Sequence, residues 1–222
     1  MGGYLKNDHD EYLGRLSVAI RLFPHENRAL ELLAEMAQFV VDATSATSRM
    51  MGSPVSDHEE VFQQALEIEG HSTDHFFALM TTVRSAFVLP LPRADLYQLA
   101  QRLNQATESL TSATNIIKIH GLDRFSSRAS DLLDLLQRQA SLTTEAMRHL
   151  SDLEGLDEYW VEVLRMSKQS IRTTDLYQAD MMDRLKPASY IKEAQFTEKL
   201  QSASLSVRQV ATDVGRILVQ ES

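Results

Sequence analysis

The chain has 222 residues, 43% apolar and only 7% aromatic, enough to bury a core built on Leu, Ala and Met. Its formal charge of −9, with no cluster of Lys and Arg, repels phosphate backbones and disfavours nucleic acid as a partner. The absence of cysteine excludes disulfides, thiolate metal centres and thiol catalysis, and no run of about 18 apolar residues exists to span a membrane.

Met1 to Asp10 is polar and lacks the apolar stretch of a secretory leader, so residues 1–12 are expected to be a polar N-terminal segment. With no cysteine to oxidise, the composition fits a reducing, cytoplasmic setting. From Ala29 the apolar residues Leu30, Leu32, Leu33, Met36, Phe39 and Val40 recur every three or four positions, the period of an amphipathic helix. Gly52-Ser53-Pro54 ends it. Ser56 or Asp57 is placed to cap a second helix, with Glu59 and Glu60 in the first turn, where the helix dipole favours acids. Its inward face reads Val61, Phe62, Leu66, Phe76, Leu79, Val83 and Phe87. Pro90 and Pro92 break the chain, and Asp95 opens a third helix with the stripe Leu96, Leu99, Leu103, Leu110, Ile117.

Gly121 is placed for a left-handed cap on that helix. A fourth helix starts at Asp123 or Ser126, with Leu132, Leu133, Leu136, Leu142, Met147 and Leu150 inward. After Gly155 a fifth runs from Asp157 to Leu185, burying Trp160, Val163, Leu164, Ile171, Leu176 and Met181. After Pro187 a sixth runs from Tyr190 to Val219, burying Ile191, Phe196, Leu200, Leu205, Val207, Val210, Val214 and Ile217. No strand alternation interrupts this pattern. At roughly 28–32 residues, each helix would span about 42–48 Å. The fold class is therefore all-α: six long antiparallel helices. The break-and-helix pattern of 87–99 returns at 185–196, so two pseudo-repeat halves, about 20–121 and 122–222, form one 1–222 domain. Two stacked three-helix bundles along one long axis are the expected assembly.

The segment SAFVLPLPRADLYQLAQRLNQATESL (85–110) resembles the signature of PhoU-like phosphate transport regulators, in the branch associated with Pit-type phosphate transporters. Phe87, Pro90, Arg93, Asp95, Leu96, Leu99 and Leu103 carry the likeness. The stretches 22–46 and 190–219 resemble that family's first and last helices, so the likeness covers nearly the whole chain in order. The resemblance implies the paired three-helix architecture and a role in phosphate uptake or its regulation. It also implies a protein partner, a Pit-type phosphate transporter, and membrane-peripheral placement through that partner.

The family binds metal through Glu-x-x-x-Asp pairs on neighbouring helices. Here the matching third-helix pair is Asn104/Glu108, with one acid replaced by an amide. On the second helix, counting back from Phe87 points to Glu69 and Thr73, and a one-residue deletion points to Asp74. In the second half Asp175 follows Ile171 by four, and Gln201 and Leu205 replace the acid pair, so that site is expected to be lost.

Read without the family, Glu67, His71 and Asp74 step by four and three along one helical face, with His75 beside them. Two carboxylates and an imidazole suit a divalent transition metal, Fe, Zn or Mn. A solvated polar face with a surface ion pair accounts for the same residues, and both readings stand. The candidate metal residues are thus Glu67, Glu69, His71, Asp74, Asn104 and Glu108. The remaining histidines, among them His9, His25, His58, His120 and His149, read as exposed or structural. The Ser/Thr runs at 109–114 and 202–206 read as small polar residues that let long helices approach closely.

The chain has no glycine-rich phosphate loop, no Gly-x-Ser-x-Gly and no His-Glu-x-x-His, and no catalytic residue is assigned. The leading expectation is a non-enzymatic accessory protein of phosphate transport that docks a helical face on its partner. A metal-binding bundle, sensor or carboxylate-bridged oxidase, is the second. A structural adaptor unrelated to phosphate is the third. Long helices expose long edges, so a homo-oligomer is compatible with all three.

Overall fold

A computed structural model describes residues 24–151 and 155–221, with side chains from Arg28 to Gln220; the polar segment 1–12, His9 and the side chain of His25 lie outside that description. The helices are α1 (Pro24–Gly52), α2 (His58–Ser85), α3 (Arg93–His120), α4 (Ser127–Arg148), α5 (Leu156–Arg184) and α6 (Pro187–Glu221). A 3₁₀ turn (Val55–Asp57) precedes α2, and no strand occurs among the described residues. The all-α expectation is met. Lengths spread more than expected, from 22 residues in α4 to 35 in α6.

Local chemistry sets some of the helix ends. Gly121 adopts φ 58° at the end of α3, and the Leu122 N–H donates back to the Ile117 carbonyl at 3.0 Å. That is the left-handed termination glycine permits. Ser126 caps α4, its Oγ accepting from the Arg128 N–H at 3.3 Å while donating to Asp180 Oδ2 of α5 at 2.9 Å. Asp57 stands at the start of α2 but caps nothing with its side chain, because its carboxylate accepts from Ser56 Oγ at 2.7 Å.

Helices α1, α2 and α3 pack pairwise as one bundle, and α4, α5 and α6 as the other. The most extensive helix contact joins the halves, α3 against α6, and α1 against α4 adds to it. Helices α3 and α6 run antiparallel along their length. Asp95 meets Arg216 at one end (2.9 Å), and His120 meets Gln195 at the other (3.0 Å). The bundles therefore stack flank to flank, where one shared long axis was expected. Helices α1, α3, α4 and α6 form a central layer, with α2 and α5 outside.

The reason lies in α3, which is buried on more than one face. Leu96, Leu99, Leu103 and Leu110 are joined by Ala100, Ala106, Ala113, Thr107 and Thr114. Small residues let two long helices lie close. Thr107 and Thr114 return hydrogen bonds to their own helix, Thr107 Oγ1 to the Leu103 carbonyl at 3.2 Å and Thr114 Oγ1 to the Thr111 carbonyl at 2.7 Å. The inward stripes are met at most positions, but Leu66, Phe87, Leu142, Leu176, Ile191 and Leu205 are exposed.

Candidate functional site

The inward stripe of α2 is Val61, Ala65, Ser72, Leu79 and Val83, which sets which of its polar residues meet α3. Glu69 and Ser72 do; on α3 their counterparts are Asn104, Glu108 and Thr111, spaced by four and three on one face. Ser72 Oγ donates to Asn104 Oδ1 at 2.9 Å, and Asn104 Nδ2 donates to Glu108 Oε1 at 2.6 Å. Thr111 Oγ1 donates to the Ala65 carbonyl at 3.3 Å and also engages the Glu69 carboxyl. Partial burial holds the Glu69 carboxyl above the ordinary range; the Thr111 hydroxyl opposes that rise and the negative charge of Glu108 adds to it.

Of the candidate metal residues, then, Glu69, Asn104 and Glu108 come together. The others do not join them. Glu67 and Asp74 are exposed and carry no ion pair among the described residues. His71 stacks on Phe39 of α1 with ring centroids 6.1 Å apart. His75 sets its ring edge against the same Phe39 at 4.9 Å and its Nε2 3.0 Å from Glu35 Oε2. Those two imidazoles belong to the α1–α2 seam.

The donor set at the α2–α3 groove is two carboxylates and one amide. Both polar atoms of Asn104 are engaged, and its N–H₂ already meets Glu108. A cation bridging Glu69 and Glu108 requires that amide to turn. No group of three or more His, Asp or Glu stands arranged for a metal among the described residues. In the second half, Asp175 and Leu205 are both exposed. The polar pair at the α5–α6 contact is instead Tyr177, whose hydroxyl donates to buried Glu193. Burial first and Glu193 second push the Tyr177 phenol well above its usual range. Reading by the family motif misses Ser72, Thr111 and this Tyr–Glu pair. The signal for Ser72 is its place in the seven-residue spacing from Ala65 to Leu79.

Two surface features complete the candidates. The first is the α2–α3 connection. Leu91 is buried, while the Arg93 guanidinium donates to the Val83 carbonyl at 3.2 Å and the Ala86 carbonyl at 2.9 Å. This latch holds the end of α2 and leaves Phe87 103% exposed, with Val88 beside it at 56%. The Phe-x-x-Pro segment thus presents its phenylalanine to solvent; the expectation that Phe87 is core is corrected. The second is a groove of about 670 Å³ between the end of α4 and the start of α5. Ala146, Leu156 and Tyr159 line it with the exposed Leu142 and Val161. Glu145, Asp157, Glu158 and Glu162 are its acidic lining.

No family model matches the chain. A protein of Rhizobium meliloti (strain 1021) named "Putative pit accessory protein" is 21% identical over 208 residues, covering 90% of this chain and 96% of the relative. A solved structure described as a "phou-like protein" from Shewanella oneidensis MR-1 matches with a TM-score of 0.72 at 14% identity, covering 86% of this chain and 99% of that one. A second from the same organism, described as a "putative PhoU-like phosphate regulatory protein", matches with a TM-score of 0.68 at 13% identity and the same coverage. No described helix is long and apolar enough to cross a membrane. The chain is PhoU-like in fold, and its sequence is similar to that of a Pit accessory protein along nearly its whole length.

Proposed function

We propose that this chain is a regulatory accessory protein of inorganic phosphate transport, working in the cytoplasm by docking on a Pit-type transporter and catalysing no covalent step. The relative's name and the described role of one structural neighbour supply the phosphate context. The docking mechanism rests on one observation, the latched and fully exposed Phe87. An aromatic side chain held in water gains when a partner's pocket removes it from solvent, about 1.5–3 kcal/mol for full burial. Such residues are recurrent anchors of interfaces.

The test is co-purification of the full chain with the Pit-type transporter from its own genome, beside labelled-phosphate uptake in cells. Phe87→Ser leaves the helices untouched and is expected to weaken association roughly tenfold or more and to shift uptake. Association and uptake unchanged by Phe87→Ser remove the docking mechanism. No association of the wild-type chain with any phosphate transporter favours an adaptor unrelated to phosphate.

A second reading starts from the α2–α3 groove, where Glu69 of α2 joins the hydrogen-bonded Asn104–Glu108 pair of α3 and burial is the main cause of its raised pKa. A divalent cation, Mn, Fe or Zn, would favour the ionised carboxylates there, with Glu69, Glu108 and a turned Asn104 as oxygen donors. Elemental analysis of purified protein tests it. Stoichiometric metal that is lost in Glu108→Ala supports the site, and metal-free protein that also fails to bind added Mn or Zn removes it.

A further inference from the structure

The α4–α5 groove has a charge pattern that the Phe87 anchor does not explain. Its lining carries four acids, Glu145, Asp157, Glu158 and Glu162, and no Lys or Arg. Glu145 is paired with Arg148 and His149, and Glu162 with Arg165. Asp157 and Glu158 have no cationic partner among the described residues. They stand in the first turn of α5, where the helix dipole favours them unpaired. Beside them lie the exposed apolar side chains Leu142 and Val161. The groove continues past Leu142 and Glu162 into a second hollow of about 400 Å³ lined by Leu135, Arg138, Arg165 and Met166. Glu162 lines that hollow too and is paired with Arg165, so the lining's unpaired charges among the described residues are Arg138 in the hollow and the two acids Asp157 and Glu158 at the loop end. From Leu135 to His149 the groove runs about 20 Å, the length of roughly four helical turns.

We propose that this groove receives a cationic amphipathic helix of a membrane-protein partner. Lysine or arginine side chains of that helix meet Asp157 and Glu158, and its apolar stripe covers Leu142 and Val161. Charge complementarity selects this occupant. A second copy of the chain, itself at −9, meets repulsion at an acidic rim, and an anionic lipid surface does too. Segments of membrane proteins on the cytoplasmic side carry an excess of Lys and Arg, which suits the rim. Helix-in-groove docking of this kind reads the occupant by apolar anchors three and four apart. The inference deepens the transporter-docking reading and rests on it.

The test uses the full chain and two labelled peptides with the same leucine stripe, one carrying lysines on its polar face and the other glutamates. The lysine peptide is expected to bind, and Asp157→Lys with Glu158→Lys to weaken it roughly tenfold or more. A control of equal charge change, Glu67→Lys with Asp74→Lys, alters exposed acids on α2 that carry no ion pair among the described residues, and is expected to weaken it far less. Equal weakening by both pairs, or binding of the glutamate peptide as tight as that of the lysine peptide, overturns the proposal. Co-purification with the transporter separates the two levels. Association lost in Phe87→Ser but untouched by the Asp157/Glu158 reversal overturns the groove alone. Association lost in both supports it.

Discussion

At the scale of single residues, Glu69 and Asp95 show two ways of carrying a carboxylate inside a helical protein. Glu69 is half-buried with a raised pKa, so its favourable contribution is present below the unfolded value of 4.5 and is lost as pH rises through the folded value. The ionised group therefore works against folding at neutral pH. Glu69→Gln keeps an oxygen for the Thr111 hydroxyl and removes the charge. Thermal melts are expected to show the variant more stable than wild type at pH 7, with the difference shrinking toward pH 4. A difference independent of pH would sink the assignment. Asp95 is solved differently: it is buried, and Arg216 of α6 reaches it at 2.9 Å. Arg216→Ala strands that carboxylate and is expected to cost about 1–3 kcal/mol in urea unfolding. Asp95→Asn in the same background should return part of the loss. A single variant as stable as wild type would show that the pair contributes nothing.

At the scale of helices, close approach is set by what the side chains leave room for. Gly215 on α6 faces the indole of Trp160 on α5, and a Cβ there would lie 2.9 Å from both Trp160 Cε2 and Nε1. Gly215→Ala gains up to about 1 kcal/mol of helix propensity. It also forces a stiff ring to move, which costs roughly 1–3 kcal/mol. The net expectation is destabilisation, with a shift in the emission of Trp160, the chain's one tryptophan. A more stable variant with unchanged emission would refute this contact.

Helix existence and order were legible because each helix carries its own period and its own stops. Gly121 could be read as a left-handed cap from position alone, since only the residues next to it matter. The facing of polar residues was not legible in the same way. One position along α2 rotates a side chain by about 100°. That step separates Ser72, which meets Asn104 of α3, from His71, which stacks on Phe39 of α1. Grouping Glu67, His71 and Asp74 on one face was sound geometry, but it did not say which neighbour that face would meet.

At the scale of the whole molecule, the sequence by itself determined the six helices of the described residues and the breaks between them. These follow from contacts a few residues apart, and the hydrophobic period records them directly. Only the tertiary structure decided that the bundles lie flank to flank, because α3 must bury more than one face at once and α6 is the helix that covers it. Likewise Phe87 belongs by pattern to an apolar stripe. It lies beyond the last turn of α2, where the period no longer applies, and the Arg93 latch leaves it in solvent. The acidic groove is intermediate: a short connection brings the end of α4 to the start of α5, but how the two helices pack decides which side chains line it. Its residues are ordinary in sequence and acquire a joint character only when α4 and α5 are placed side by side.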